Sequence, residues 1–377
     1  MKFKNKLRVG AVSLLAASGL VAGAVSSMAQ AASPRASSSQ TVIGVDLTYN
    51  NTDFWSAYVN YESQYAKQMH IKLLGPDLAG ASASTQNQQI EELVNQGAKS
   101  IIINPETATS VGPAIAYANK HGVKLISVDT IVGVGKVYMV VRASNVLYGQ
   151  DACAEIASKV TSGDVVDLEG DLTSSNGADR TNAFNACMAK NDPGVKVISD
   201  PTVWEASTAV TDAQNAINEY GNSLKAIYSQ WSSPDTGIIP ILKAKGMTAS
   251  TMLISDDGVP FEMCDISNGS VTASQSQPAN LYAKYALTYA LDAANGVKLH
   301  AGEVGGGAPK LQNVSYHGDT NLADPIVAPF VTKTSATLKL GHPVDGLPAS
   351  TPTTSVHNSS LWGNVYGAAH GGVCSAS

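Results

Sequence analysis

Asn50 and Asn51 come just ahead of an adjacent Phe54-Trp55 pair, at the end of an apolar run containing Val42, Ile43, Val45 and Leu47. The two primary amides offer paired donors and acceptors, and the two rings offer flat apolar faces. That mixture suits a polyhydroxylated molecule, whose hydroxyl edge needs hydrogen bonds and whose C–H face packs on aromatic carbon. Acids supply the complementary chemistry: Asp129 in LISVDT and Asp256-Asp257 in LISDDG repeat one local pattern in the two halves of the chain. An ionised carboxylate accepts two hydrogen bonds from vicinal hydroxyls. A turn is the plainer reading of Asp and Gly at such places. Ligand contact is favoured because both stretches fall at the carboxyl ends of predicted strands, where open α/β sheets bind ligands. Three of the four tryptophans outside the first 31 residues, Trp55, Trp204 and Trp231, also fall in predicted loops at strand ends rather than at periodic core positions.

The elements that must position these residues alternate. Short β-branched runs at 42–47, 71–74, 100–103, 124–128, 164–168, 195–198, 225–228 and 252–255 read as strands. Between them lie amphipathic segments such as 85–96, with Ile90, Leu93 and Val94 on one face, and 208–220, with Val210, Ala213 and Ile217 on one face. Alternation of this kind predicts parallel sheets covered by helices, here two doubly wound α/β lobes divided near 127–145. A further strand at 271–274, a long helix at 279–295, a Gly-rich turn at 302–307 and a strand-like 326–333 precede a Thr/Ser/Pro-rich tail, read as a hinge segment plus a wrapped extension. The expected division is 41–142 plus 277–312 for the N-terminal lobe and 143–276 plus about 325–340 for the C-terminal lobe. Residues 341–377 form a C-terminal extension, and a three-segment hinge joins the lobes.

The chain opens MKFKNKLR, continues in small and apolar residues and reaches Ala29-Gln30-Ala31, the pattern of a secretory signal peptide over residues 1–31. Its removal takes four of 24 cations and none of 30 acids, leaving 20 − 30 = −10. Nucleic acid and anionic membrane surfaces are poor partners for that charge. A soluble periplasmic or secreted monomer is the expected product, with no inserted span. Cys153, Cys187, Cys264 and Cys374 form an even set in an exported chain, which predicts two disulfides. Three connectivities are open; consecutive predicted helices favour Cys153 with Cys187, leaving Cys264 for Cys374.

Residues 43–295 resemble periplasmic sugar-binding proteins of the ribose-binding type, the solute receptors of ABC importers. The matching stretches, in order, are NNTDFW, IIINP, LISVDT, RASNVLYGQ, ADRTNAF, LISDDG and VTASQSQP. Each motif is weak alone; the ordered set is specific. The resemblance implies the type I periplasmic binding protein fold and a ligand set of Asn51, Phe54, Trp55, Asp129, Thr130, Arg180, Trp204, Trp231, Asp257 and Gln275, with Gln277 beside its proline as the alternative to Gln275. Thr130 stands where the ribose binder has Arg, and Trp231 where it has Asn, which argues against ribose. Arg180 either reaches the ligand with its planar fork or pairs with Asp179 at the surface.

GxSxG, HExxH, the P-loop and a strand-borne GxGxxG are absent, and the histidines show no triad or metal spacing. No cofactor or metal is expected. A glycosidase would need paired carboxylates, which converge here, but motif absence disfavours an enzyme. The sequence therefore points to a non-catalytic receptor that closes on a monosaccharide or related neutral polyol, pyranose favoured. The resemblance adds delivery to an ABC transporter permease. A receptor handing the same closed state to a chemoreceptor or sensor kinase is the alternative.

Overall fold

The computed structural model describes residues 40–369, with side chains to residue 366; the expected signal peptide and Cys374 lie outside the described residues. In the first sheet β1 (Thr41–Leu47), β2 (Ile71–Leu78), β3 (Ser100–Ile103), β4 (Lys124–Val128) and β5 (Met139–Ala143) run parallel, in the spatial order β2-β1-β3-β4-β5. Their connections carry α1 (Asp53–Gln68), α2 (Ala83–Asn95) and α3 (Gly112–Lys120). The chain then crosses to a second lobe of α4 (Asn145–Ala157), β6 (Gly163–Glu169), α5 (Ser175–Asn191), β7 (Val195–Pro201), α6 (Ala206–Tyr220), β8 (Leu224–Ser229), α7 (Asp235–Ala244), β9 (Met252–Asp257), α8 (Pro260–Asn268) and β10 (Ala273–Ser276). These strands order as β7-β6-β8-β9-β10, all parallel.

Next α9 (Ala279–Ala294) returns to the first lobe and packs against α1 and β4. The hairpin β11 (Gln312–Tyr316) and β12 (Asp319–Ile326) then extends the first sheet beside β5. A third crossing leads to β13 (Phe330–Thr332), β14 (Thr337–Lys339) and β15 (Ser350–Ser355) on the second sheet, and the described chain ends in α10 (Trp362–Ala369). Both sheets are therefore parallel through their centres, as expected of doubly wound lobes, and mixed at one margin. The segment expected as a wrapped extension supplies a strand of the second sheet: β15 lies between β13, to which it is parallel, and the edge strand β14.

Each sheet is covered on both faces. Ile43, Val45 and Leu47 of β1 pack under α1 and the Ala-rich face of α9, while Ile101 and Ile103 of β3 face Ile90, Leu93 and Ile115. In the second lobe one face gathers Val166, Leu168 and Ile227 under α6 and α7, and the other gathers Val165 and Ala226 under α4 and α5. The near-continuous apolar strands are those of sheets buried on two sides. Cys153 of α4 is bonded to Cys187 of α5. Cys264 is disulfide-bonded as well, and the Cys374 end of the expected second bridge lies outside the described residues.

Candidate functional site

The carboxyl ends of the strands in the two lobes face one another across a cavity of about 300 Å³. Its walls are the loops and helix starts that follow those strands: Thr48, Tyr49, Asn51, Thr52, Phe54 and Trp55 after β1, Asn104 to Glu106 after β3, Asp129 and Thr130 after β4, Ser174 and Asn176 after β6, Trp204 to Ala206 after β7, Trp231 and Ser233 after β8, Asp257 at the end of β9 and Gln277 after β10. Asn51, Phe54, Trp55, Asp129, Thr130, Arg180, Trp204, Trp231 and Asp257 all line it. Gln275 is not among the residues lining it. Gln275 is still inside the β10 ladder, paired with Asp256 and Phe330, and its amide donates to the Ala328 carbonyl at 2.6 Å. Gln277, just past the strand, lines the cavity in its place.

Local chemistry fixes the first wall. Thr52 caps α1, its Oγ1 accepting from Trp55 N at 3.2 Å, so that Phe54 and Trp55 enter the first turn facing the core. The two rings meet edge to face with centroids 5.0 Å apart, and Phe54 meets Tyr282 likewise at 5.7 Å. Both are almost fully buried, so each serves as core packing and as cavity wall. Asn51 lies exposed at the rim, whereas Asn50 is not on the wall and instead accepts from Ser56 Oγ through its carbonyl.

The second wall is a pair of indoles. Trp204 and Trp231 stand perpendicular, 84° between planes and 5.3 Å between centroids. Gly170 makes room for this: a Cβ there would fall 2.2 Å from Trp204 Cη2. Trp204, Asp129 and Asp257 have φ of +64°, +71° and +100°, a region that non-glycine residues enter at a cost of roughly 1–3 kcal/mol each. Such strain collects where side chains are aimed for function. Here it turns three strand-end residues toward the cavity.

Polar groups are held by one another. Asp129 accepts from Asn176 Nδ2 and from Gln277 Nε2, the latter at 3.1 Å. Asp257 accepts from Ser232 N at 3.0 Å and Ser232 Oγ at 2.7 Å. Arg180 does not pair with Asp179, which instead bonds Arg142 at 3.0 Å. All three Arg180 nitrogens have protein partners: Nε donates to Asn145 Oδ1 at 2.6 Å, Nη1 to the Gln230 carbonyl, and Nη2 to Gln277 Oε1 at 3.1 Å. Asp256 lies 3.4 Å from Nη1, and the guanidinium sits over the Tyr148 ring at 4.7 Å and near Trp204 at 5.6 Å. Three of the five guanidinium N–H groups thus hold the wall together, and Arg180 itself lines the cavity.

Burial pushes Asp257 up to about 6 and Asp256 up to about 7, against the pull of Arg180 on both. Burial also raises Asp129, opposed by Arg180 and Arg142. Burial works against the charge of Arg180, but Asp256 and its neighbours hold its pKa above the ordinary value. With Glu106 and Glu205 also on the wall, the lining is rich in acceptors and unfavourable to anions. Asp46 is buried under α2, accepting from Gln86 Nε2 at 2.8 Å, and is not among the lining residues. Sequence reasoning did not assign Asn104, Glu106, Ser174, Asn176 or Glu205; Asn104 directly follows β3, a signal available in the sequence. Among the described residues no group of three or more His, Cys, Asp or Glu is arranged to hold a metal, and no helix is long and apolar enough to cross a membrane.

Comparison with known proteins gives a consistent picture. A family model for the periplasmic binding protein domain matches residues 14–298. The chain is 28% identical over 295 residues to a xylitol-binding protein of Mycolicibacterium smegmatis, covering 77% of this chain and 82% of that one. It is 26% identical over 259 residues to a ribose import binding protein of Bacillus subtilis, covering 68% and 83%. Among solved structures, an ABC transporter solute binding protein from Bacillus halodurans with bound myo-inositol superposes with a TM-score of 0.67 at 20% identity, over 79% of this chain and 96% of that one.

Proposed function

The chain belongs to the periplasmic binding protein family, and on that premise we propose that it is an extracytoplasmic receptor for a neutral monosaccharide or related polyol, a pyranose or six-membered ring in preference to a furanose. The observation that carries this reading is the pairing of an aromatic wall on each lobe, Phe54-Trp55 and Trp204-Trp231, with acceptors Asp129 and Asp257 at matched strand ends. Flat C–H faces pack on the rings while hydroxyls donate to the carboxylates. A cavity of about 300 Å³ is at the small end of ligand sites, which favours a single ring over an oligosaccharide. The carboxylate-rich lining and the internally paired Arg180 disfavour phosphorylated sugars.

Closure of the two lobes follows from contacts made to both at once, and the closed form is what a membrane partner reads. Similarity to a ribose import binding protein and to an ABC transporter solute binding protein supports delivery to an importer permease. Their named ligands, ribose, xylitol and myo-inositol, are natural first probes. A thermal-shift screen against pentoses, hexoses, inositols, amino acids and sugar phosphates tests the reading, because a ligand that binds only the folded state raises the melting temperature. Stabilisation by at least one neutral polyol is expected; stabilisation by amino acids or sugar phosphates alone contradicts it.

A further inference from the structure

The chain after β13 first fastens itself to the second lobe. Thr351 Oγ1 donates to Asp151 Oδ1 at 2.6 Å, and Gln150 accepts from Val344 N at 2.8 Å while donating to the Pro348 carbonyl at 2.9 Å. From this anchored base α10 lies against both lobes. On the second-lobe side Trp362 Nε1 donates to the Asp257 carbonyl at 3.0 Å. Gly363 sits so close that a Cβ would fall 2.2 Å from the Gly258 carbonyl oxygen. On the first-lobe side the Trp362 ring meets Phe54 edge to face at 6.3 Å, the Tyr366 ring lies 5.6 Å from that of Tyr61, and the Tyr366 hydroxyl accepts from Asn60 Nδ2 at 3.0 Å. Trp362, 2% exposed, shares one apolar cluster with Phe54 of the first lobe and Val259 of the second.

We propose that α10 is a clasp between the lobes and that Trp362 is a positioning residue, tying the Phe54 wall to the Asp257 wall. The three crossing segments are hinges that permit rotation; α10 is a fourth connection that resists it. Rotation that parts α1 from β9 and α8 strips Trp362 from one side or the other and exposes ring surface to water. The clasp therefore raises the population of closed lobes, and a larger binding-competent fraction strengthens apparent affinity in proportion. The inference rests on lobe geometry and not on ligand identity, so it stands or falls separately from the sugar reading.

The test uses the ligand-free full-length protein. In Trp362→Ala and Tyr366→Ala, small-angle scattering is expected to show an upward shift in radius of gyration. Hydrogen exchange is expected to quicken at the amide of Ile131, which donates to Ser175 Oγ of the other lobe at 2.8 Å, while β6 and β8 keep their protection. Tyr366→Ala leaves the Trp362 indole in place and carries the test if the tryptophan variant does not fold. An unchanged radius and unchanged Ile131 exchange in the folded variants, with a lower melting temperature alone, would overturn the proposal.

Discussion

Gln277 donates its side-chain amide to Asp129 at 3.1 Å, from the segment that crosses between the lobes to the carboxylate at the end of β4. The same side chain accepts from Arg180 Nη2, so it brackets an acid of the first lobe and a cation of the second. Gln277→Ala is expected to leave Arg180 and Asp129 each short of one buried partner. A lost hydrogen bond to a charged group costs about 1.5–3 kcal/mol of fold stability, and the loosened Asp129 carboxylate is expected to bind a neutral polyol more weakly. Gln275→Ala, off the cavity, is expected to change affinity by less than about twofold. Parallel fluorescence titrations of the two variants with a neutral polyol that stabilises the wild type check this. Equal losses would place Gln275 in the site after all.

Gly170 sets the position of an indole it does not bond. In Gly170→Ala the new methyl displaces Trp204, breaking its perpendicular contact with Trp231. Aromatic pairs of this kind contribute about 0.5–1.5 kcal/mol beyond area, so a three- to tenfold loss of affinity is expected with a shifted tryptophan emission maximum. Retained affinity with an unshifted spectrum would show that the cavity tolerates the methyl.

Glu62 on α1 gives a pH signature. It is buried, accepts from Tyr58 OH at 3.0 Å, and burial pushes its pKa up to about 8 despite that bond. The folded chain therefore keeps a proton that the unfolded chain releases near pH 4.5. Stability contributed by the neutral form falls as pH rises from about 4.5 to about 8 and is level beyond. Asp46 and Asp151, each raised to about 7, act in the same direction. In Glu62→Gln the unfolding free energy is expected to exceed that of the wild type at pH 8, by on the order of a few kcal/mol, and to converge with it near pH 4.5. A difference that does not change with pH would mean that Glu62 is charged in the fold.

The strands that carry the site were legible because β-branched runs bounded by turn residues recur at regular spacing, and Asp129 and Asp257 could be placed because LIS strands end there. β5 was missed: Met139–Ala143 falls within the stretch read as the break between halves, although Val140-Val141 is β-branched. The hairpin Gln312–Tyr316 and Asp319–Ile326 was obscured because both its strands are largely polar. Gln275 and Gln277 differ only in whether the ladder has ended, a matter of one residue. Pro278, which starts the next connection, was the signal for the second. The engagement of Arg180 could not be read, since Asn145, Gln230 and Asp256 come together only in the folded lobe.

Isothermal titration of neutral pentoses, hexoses and inositols, each beside its phosphorylated counterpart, tests the central claim most directly. Saturable one-site binding of at least one neutral compound, recovered unchanged and lost or weakened in Trp231→Ala, is the predicted result. Binding confined to phosphorylated or amino-acid ligands, or chemical conversion of the bound compound, would contradict it.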